Sequence, residues 1–220
     1  MNKKTNCFSQ FRLLYFVLFI ISVEGINKLN VYLVVLLSKA LPRSYLSVSI
    51  ALTLQLVIIL VPVVLLLRTL RLQYSDIGFN RAKYGHLSYF TSFAAFSLFS
   101  VYAIMFHIAN IAALNSFGLV VNLIVFTVIL TPIVEEAIYR GIIFLYLKKY
   151  GVVFAIVFQA VLFSLIHPFS HFPKYVLVPF IFGIISGILT SINKSLWPSI
   201  FLHMLINIAF TIAPLNLWIL

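Results

Sequence analysis

The sequence predicts an all-α, polytopic membrane protein of about seven transmembrane helices, four to five of which form a core carrying the polar residues. Composition predicts it first: 63% of the 220 residues are hydrophobic and 9% are charged. An ordinary soluble domain is about a quarter charged. Patterning predicts it next, because apolar runs near the roughly 20 residues that cross a bilayer recur along the whole chain. The charge distribution agrees. The net charge of +11 comes from Lys and Arg that lie mostly between those runs, where they set topology and meet anionic headgroups. No nucleic-acid partner is expected; the lipid bilayer is. The chain reads as one membrane domain, 1–220, with two N-terminal spans in 1–70 and a core in 75–210.

The first span is expected at 13–37, interrupted by "EGINK", where Glu24 and Lys28 lie four apart and can pair on one helix face. It follows a basic start, "MNKKTNCFSQFR", without a small-x-small cleavage site, so it reads as an uncleaved span. The second runs from Tyr45 to Leu67. The polar connector "RTLRLQYSDIGFNRAKYGH" follows and is expected on the membrane surface. The third span covers 87–108 and the fourth about 117–147. The fifth is "GVVFAIVFQAVLFSLIH", ending at His167, and the sixth "YVLVPFIFGIISGILTSI". The seventh runs from Leu196 to about Ala213. With the N-terminus inside, ten of the 15 basic residues fall on inner segments. Three (Lys39, Arg43, Lys174) fall outside, and Lys28 and Arg140 lie within spans. That bias predicts a cytoplasmic N-terminus and an outer C-terminus.

Only four acidic residues occur, and two of them, Glu135 and Glu136, sit side by side in the apolar run "TPIVEEAIYRG". A charge at the bilayer centre costs about 2.5–3.5 kcal/mol on insertion scales. Glu136 and Arg140 are one helical turn apart and can pair. Glu135 is rotated by about 100° from Glu136 and is left to point elsewhere. Pro132 would bend the helix and open space beside it.

His167 follows Phe163 by one turn in span five, and Asn207 follows His203 by one turn in span seven. His86, His107 and His171 read as interfacial or loop residues. Two Glu, two His and one Asn on three apolar spans can bind a metal or activate water. Glu serves as general base, His as acid or orienter, and Asn or His as an oxyanion donor. Asp76 is the only aspartate, so a two-aspartate site is excluded. H-E-x-x-H is absent, and "GIISG" is not the G-x-S-x-G serine motif. It reads as a close-packed small-residue face. The single cysteine, Cys7, excludes an intrachain disulfide and a Cys-based metal cluster. No internal repeat supports a transporter.

"EEAIYR", "FSLIH" and "HMLIN", in that order, resemble the E-E-x-x-x-R, F-x-x-x-H and H-x-x-x-N motifs of the CPBP family, the CAAX proteases and bacteriocin-processing (Abi) proteins. "YSDIGFNR" and "SLWPSIFLH" look like its usual lead-in segments, so the resemblance covers roughly 75–210. Tyr139 stands where Phe is commoner. The resemblance implies an intramembrane endopeptidase with a core of four to five helices. It implies that Glu135 or Glu136, with His167, activates the water, the first glutamate being the favoured base. His203 and Asn207 would complete the catalytic set, with Arg140 holding Glu136 and Phe163 supporting. If a divalent metal such as zinc takes part, Glu135, His167 and His203 are its expected donors, leaving an open position.

The expected substrate is a peptide or small membrane-associated protein. The chain looks like a low-GC Gram-positive protein, so the prenylated substrate does not carry over. Bacteriocin self-immunity or peptide maturation is expected instead. A non-enzymatic immunity protein and an ion-coupled transporter are the competing readings.

Overall fold

The computed structural model describes residues 16–23, 25, 32, 45–106, 123–167 and 174–212. Apart from the helical stretch 16–23, the expected first span with Glu24 and Lys28 lies outside the described residues, as do His107 and His171. The described elements are helical, with no strand among the described residues. The chain divides into two compact units, Met1–Ile77 and Gly78–Leu220.

Helix α1, Tyr45–Thr69, belongs to the first unit. The second unit opens with α2, Gly85–Phe106. Helix α3 covers 123–147 as successive turns Leu123–Leu130, Thr131–Glu136, Ala137–Ile143 and Phe144–Leu147. Helices α4, Val152–Leu165, α5, Lys174–Asn193, and α6, Trp197–Ile212, complete it. These extents follow the apolar runs closely. Helix α4 stops two residues short of the expected end, with Ile166 as its C-cap. Pro168 follows, and a residue before proline is disfavoured in helical geometry.

Among the described residues one helix, at Val176–Asn193, is long and apolar enough to cross a membrane by length and composition. Val152–Leu165 and Trp197–Ala209 are apolar but shorter.

Helix α5 packs most extensively on α4, and α6 packs on α2, α3 and α5. The α4–α5 approach depends on two glycines. A Cβ on Gly183 would lie 2.8 Å from the Ala160 backbone, and one on Gly187 would lie 2.8 Å from Gln159 Nε2. Gln159 Nε2 donates to Gly183 O at 2.7 Å across the same interface. The "GIISG" stretch is therefore the close-packed face its composition suggests.

The start of α6 is anchored to the end of the polar connector rather than standing free. Leu196 N donates to Gly78 O at 2.8 Å and Ser195 Oγ to Asn80 O at 2.6 Å. Phe79 meets Trp197 edge to face. Pro198 occupies the first turn of α6, where a missing N–H costs nothing.

Candidate active site

Helix α3 carries the two glutamates in a local distortion. Leu123–Leu130 and Ala137–Ile143 are π-helical, on either side of one α-helical segment, Thr131–Glu136. In π-helical spacing each carbonyl takes the amide five residues on. Pro132 has no N–H to give to Thr127 O. Asn207 Nδ2, from α6, donates to that carbonyl at 2.8 Å. Pro132 itself stands in the α-helical segment, and Asn207 ties the π segment just before it to α6. One Asn207 amide hydrogen is used in this way and the other remains for a ligand.

The adjacent glutamates have different surroundings. Glu136 is fully buried, and its Oε1 lies 3.0 Å from Arg140 Nη1 and 3.0 Å from His203 Nδ1. A carboxylate paired with a guanidinium accepts, so His203 Nδ1 carries the proton and Nε2 is the other ring nitrogen. Glu135 Oε2 lies 3.7 Å from that Nε2, and its side chain keeps 25% of its surface exposed. This separation exceeds a direct hydrogen bond. Glu135, rotated off the Glu136–Arg140 line, is therefore the glutamate that solvent reaches.

Aromatic rings enclose the charged end. Arg140 is fully buried, with Cζ 4.3 Å from the Phe163 ring centroid and 5.0 Å from that of Phe182. Cation–π attraction of this kind contributes about 2 kcal/mol once the cation is desolvated. Phe163 also meets His203 and Tyr139 edge to face, and Phe182 contacts His203 at 4.7 Å between centroids. His167 packs on Phe163 at 5.0 Å and its Nδ1 donates to Phe163 O at 2.9 Å, closing the last turn of α4. Its Nε2 is thereby the nitrogen left for chemistry. Phe163 is the ring shared by the two histidines and the arginine.

The residues singled out from sequence thus fall in one neighbourhood. Glu135, Glu136, Arg140 and His203 are in direct contact, Phe163 joins His167 to them, and Asn207 braces α3. Sequence reasoning missed Phe182, which covers Arg140 and His203 from α5. The available signal was its position immediately before Gly183, where α5 presses on α4. Among the described residues no three His, Cys, Asp or Glu side chains converge on a common point as a metal cage would require. Glu135, His167 and His203 do not close into such a set.

No curated protein and no solved structure matches the chain significantly. A family model does: that of the type II CAAX prenyl endopeptidase Rce1-like proteins, over residues 117–209. The matched stretch spans α3 to α6 and holds all three motifs. Residues 117–209 of this chain are thus similar to the Rce1-like proteins, in keeping with the resemblance of "EEAIYR", "FSLIH" and "HMLIN".

Proposed function

We propose that this chain is a multi-pass intramembrane endopeptidase that uses Glu135 as its general base. The observation that carries the reading is the division between adjacent glutamates: Glu136 is buried and doubly engaged, while Glu135 is partly exposed beside His203.

A water on Glu135, steadied by His167, gives its proton to the carboxylate as its oxygen attacks the scissile carbonyl carbon. The oxyanion that forms is met by the second Asn207 hydrogen, while His203 stays bound to Glu136 through Nδ1. The proton then passes from Glu135 to the leaving nitrogen as the C–N bond breaks. The products are a new carboxyl end and a new amino end. Arg140 and Glu136 hold His203 in one orientation throughout. A divalent metal is not needed for any of these steps; were one to take part, Glu135 and His203 are the adjacent donors.

The burial pattern supports placement in a membrane. Ser92, Glu136, Arg140, Gln159, Ser186 and Ser199 lie inside the second unit, while Phe90, Phe93, Val153, Phe154, Ile181 and Ile192 are exposed on it. Buried charge together with an apolar outer surface suits a hydrocarbon surround. Several spans with a cytoplasmic N-terminus follow from the basic residues. The peptide substrate belongs to bacteriocin self-immunity or peptide maturation in a Gram-positive cell membrane.

The test is hydrolysis by the protein in lipid vesicles, with a peptide library and oxygen-labelled water, read by mass spectrometry. The expected result is new peptide ends with one labelled oxygen in each new carboxyl group. Binding of a bacteriocin peptide without any cleavage would contradict the peptidase and favour a sequestering immunity protein.

A further inference from the structure

Helices α2 and α5 leave a groove of about 290 Å³ between them, remote from the glutamates in sequence. Its walls are apolar: Leu87, Thr91, Ile185, Ile188, Leu189 and Ile192 line it. Leu87, Ile188 and Ile192 are exposed large hydrophobics. At one end the lining changes to Tyr84, Ser88 and Asn193.

That end is rigid. Asn193 O accepts from Lys83 N and Asn193 Oδ1 from Tyr84 N, both at 3.2 Å, and Ser88 Oγ also donates to Oδ1. Asn193 Nδ2 in turn donates to Leu189 O at 2.8 Å. One buried asparagine therefore fixes the start of α2 against the end of α5.

Two exposed lysines stand at this rigid end. Lys83 Nζ lies 4.7 Å from the centroid of the Tyr84 ring. Hydrogen bonding from Lys83, its charge, and the charge of Lys194 lower the Tyr84 phenol below its ordinary value. Lys194 adopts φ +52°, a left-handed conformation after α5 where glycine is usual. A side chain there costs about 1–2 kcal/mol. The cation thus stands where backbone geometry favours glycine, and α5's C-terminal dipole returns part of that cost.

We propose that this groove is a binding site for an anionic glycerophospholipid of the inner leaflet. One acyl chain lies between α2 and α5, and the phosphate is held by Lys83, Lys194 and the Tyr84 hydroxyl. The site rests on the membrane placement proposed above but not on the peptidase chemistry. Charge complementarity selects the occupant: an apolar slot with two ammonium groups at its mouth fits a lipid phosphate better than an uncharged isoprenyl chain. Bound there, the lipid covers apolar surface that α2 and α5 leave open.

The test is native mass spectrometry of protein released from vesicles of equal parts phosphatidylglycerol and phosphatidylcholine with the same acyl chains. Wild-type protein is expected to retain phosphatidylglycerol preferentially. In K83Q/K194Q the preference falls by about fivefold per lysine removed. Ile188→Trp, which fills the groove from an exposed position, reduces retention of both lipids. Equal retention of the two lipids by wild type, or an unchanged ratio in K83Q/K194Q, would overturn the proposal. So would displacement of the lipid by an isoprenylated peptide. Glu135→Gln keeps the lipid preference, so a failed hydrolysis assay with intact preference counts against the peptidase alone. Protein that does not remain with the vesicles overturns the membrane placement and the lipid site together.

Discussion

Two buried polar clusters share helices α5 and α6, and they are built differently. The lower one is neutral and, apart from Ser186 Oγ, its hydroxyls are paired. Thr190 Oγ1 and Ser199 Oγ lie 2.8 Å apart, Ser199 Oγ also donates to Ser186 O, and Ser92 Oγ donates to Pro198 O at 3.0 Å. The upper one is charged, with hydrogen-bonding capacity left over. Glu136 Oε2 and Arg140 Nε and Nη2 have no hydrogen-bond partner among the described residues, and Glu135 is open to solvent. Neutral hydroxyl pairs specify how helices meet, and their loss costs little in a membrane. Charged groups held by aromatic rings and incomplete pairing are expensive, which is where a site for chemistry is expected.

The sharpest way to break this contrast is to remove Arg140. Arg140→Met leaves Glu136 buried without its counter-ion, which costs about 3–5 kcal/mol. Thermal unfolding in detergent should show the loss, and adding Glu136→Gln to the same protein should restore most of it. No rescue would mean that Arg140 acts through its contacts with the Phe163 and Phe182 rings alone.

Gly183→Ala tests what carries Phe163 and Phe182 around Arg140. Its Cβ meets the Ala160 backbone, so α4 and α5 must separate, at about 1–3 kcal/mol. Both stability and turnover should fall, because the aromatic enclosure depends on that approach. The smallest effect belongs to the neutral cluster. Ser199→Ala should cost about 0.6 kcal/mol and leave turnover within twofold of wild type, measured side by side in vesicles.

Much of this was legible in the sequence. The helix extents followed from runs of apolar residues, because a chain with few charges has few ways to mark a boundary. The three motifs named Glu135, Glu136, Arg140, His167, His203 and Asn207 by type and spacing, and the i, i+4 pairing of Glu136 with Arg140 is present. The roles within the set were less legible. That His203 Nδ1 engages Glu136 is a contact across 67 residues, which no local period encodes. The π turns around Thr131–Glu136 were also hidden, since Pro132 announces a bend but not which carbonyl it frees. Phe182 belongs to no polar spacing and is one of 22 phenylalanines, marked in the sequence only by the glycine that follows it.

The most direct test of the division between the two glutamates is to measure turnover and thermal stability for Glu135→Gln and Glu136→Gln in parallel. Glu135→Gln is expected to lower turnover by about 10²–10⁴-fold, the contribution of a general base, at wild-type stability. Glu136→Gln is expected to lower stability first, because it weakens the hold on Arg140 and His203. Full turnover in Glu135→Gln, or loss of turnover at unchanged stability in Glu136→Gln alone, would contradict the assignment of Glu135 as the base.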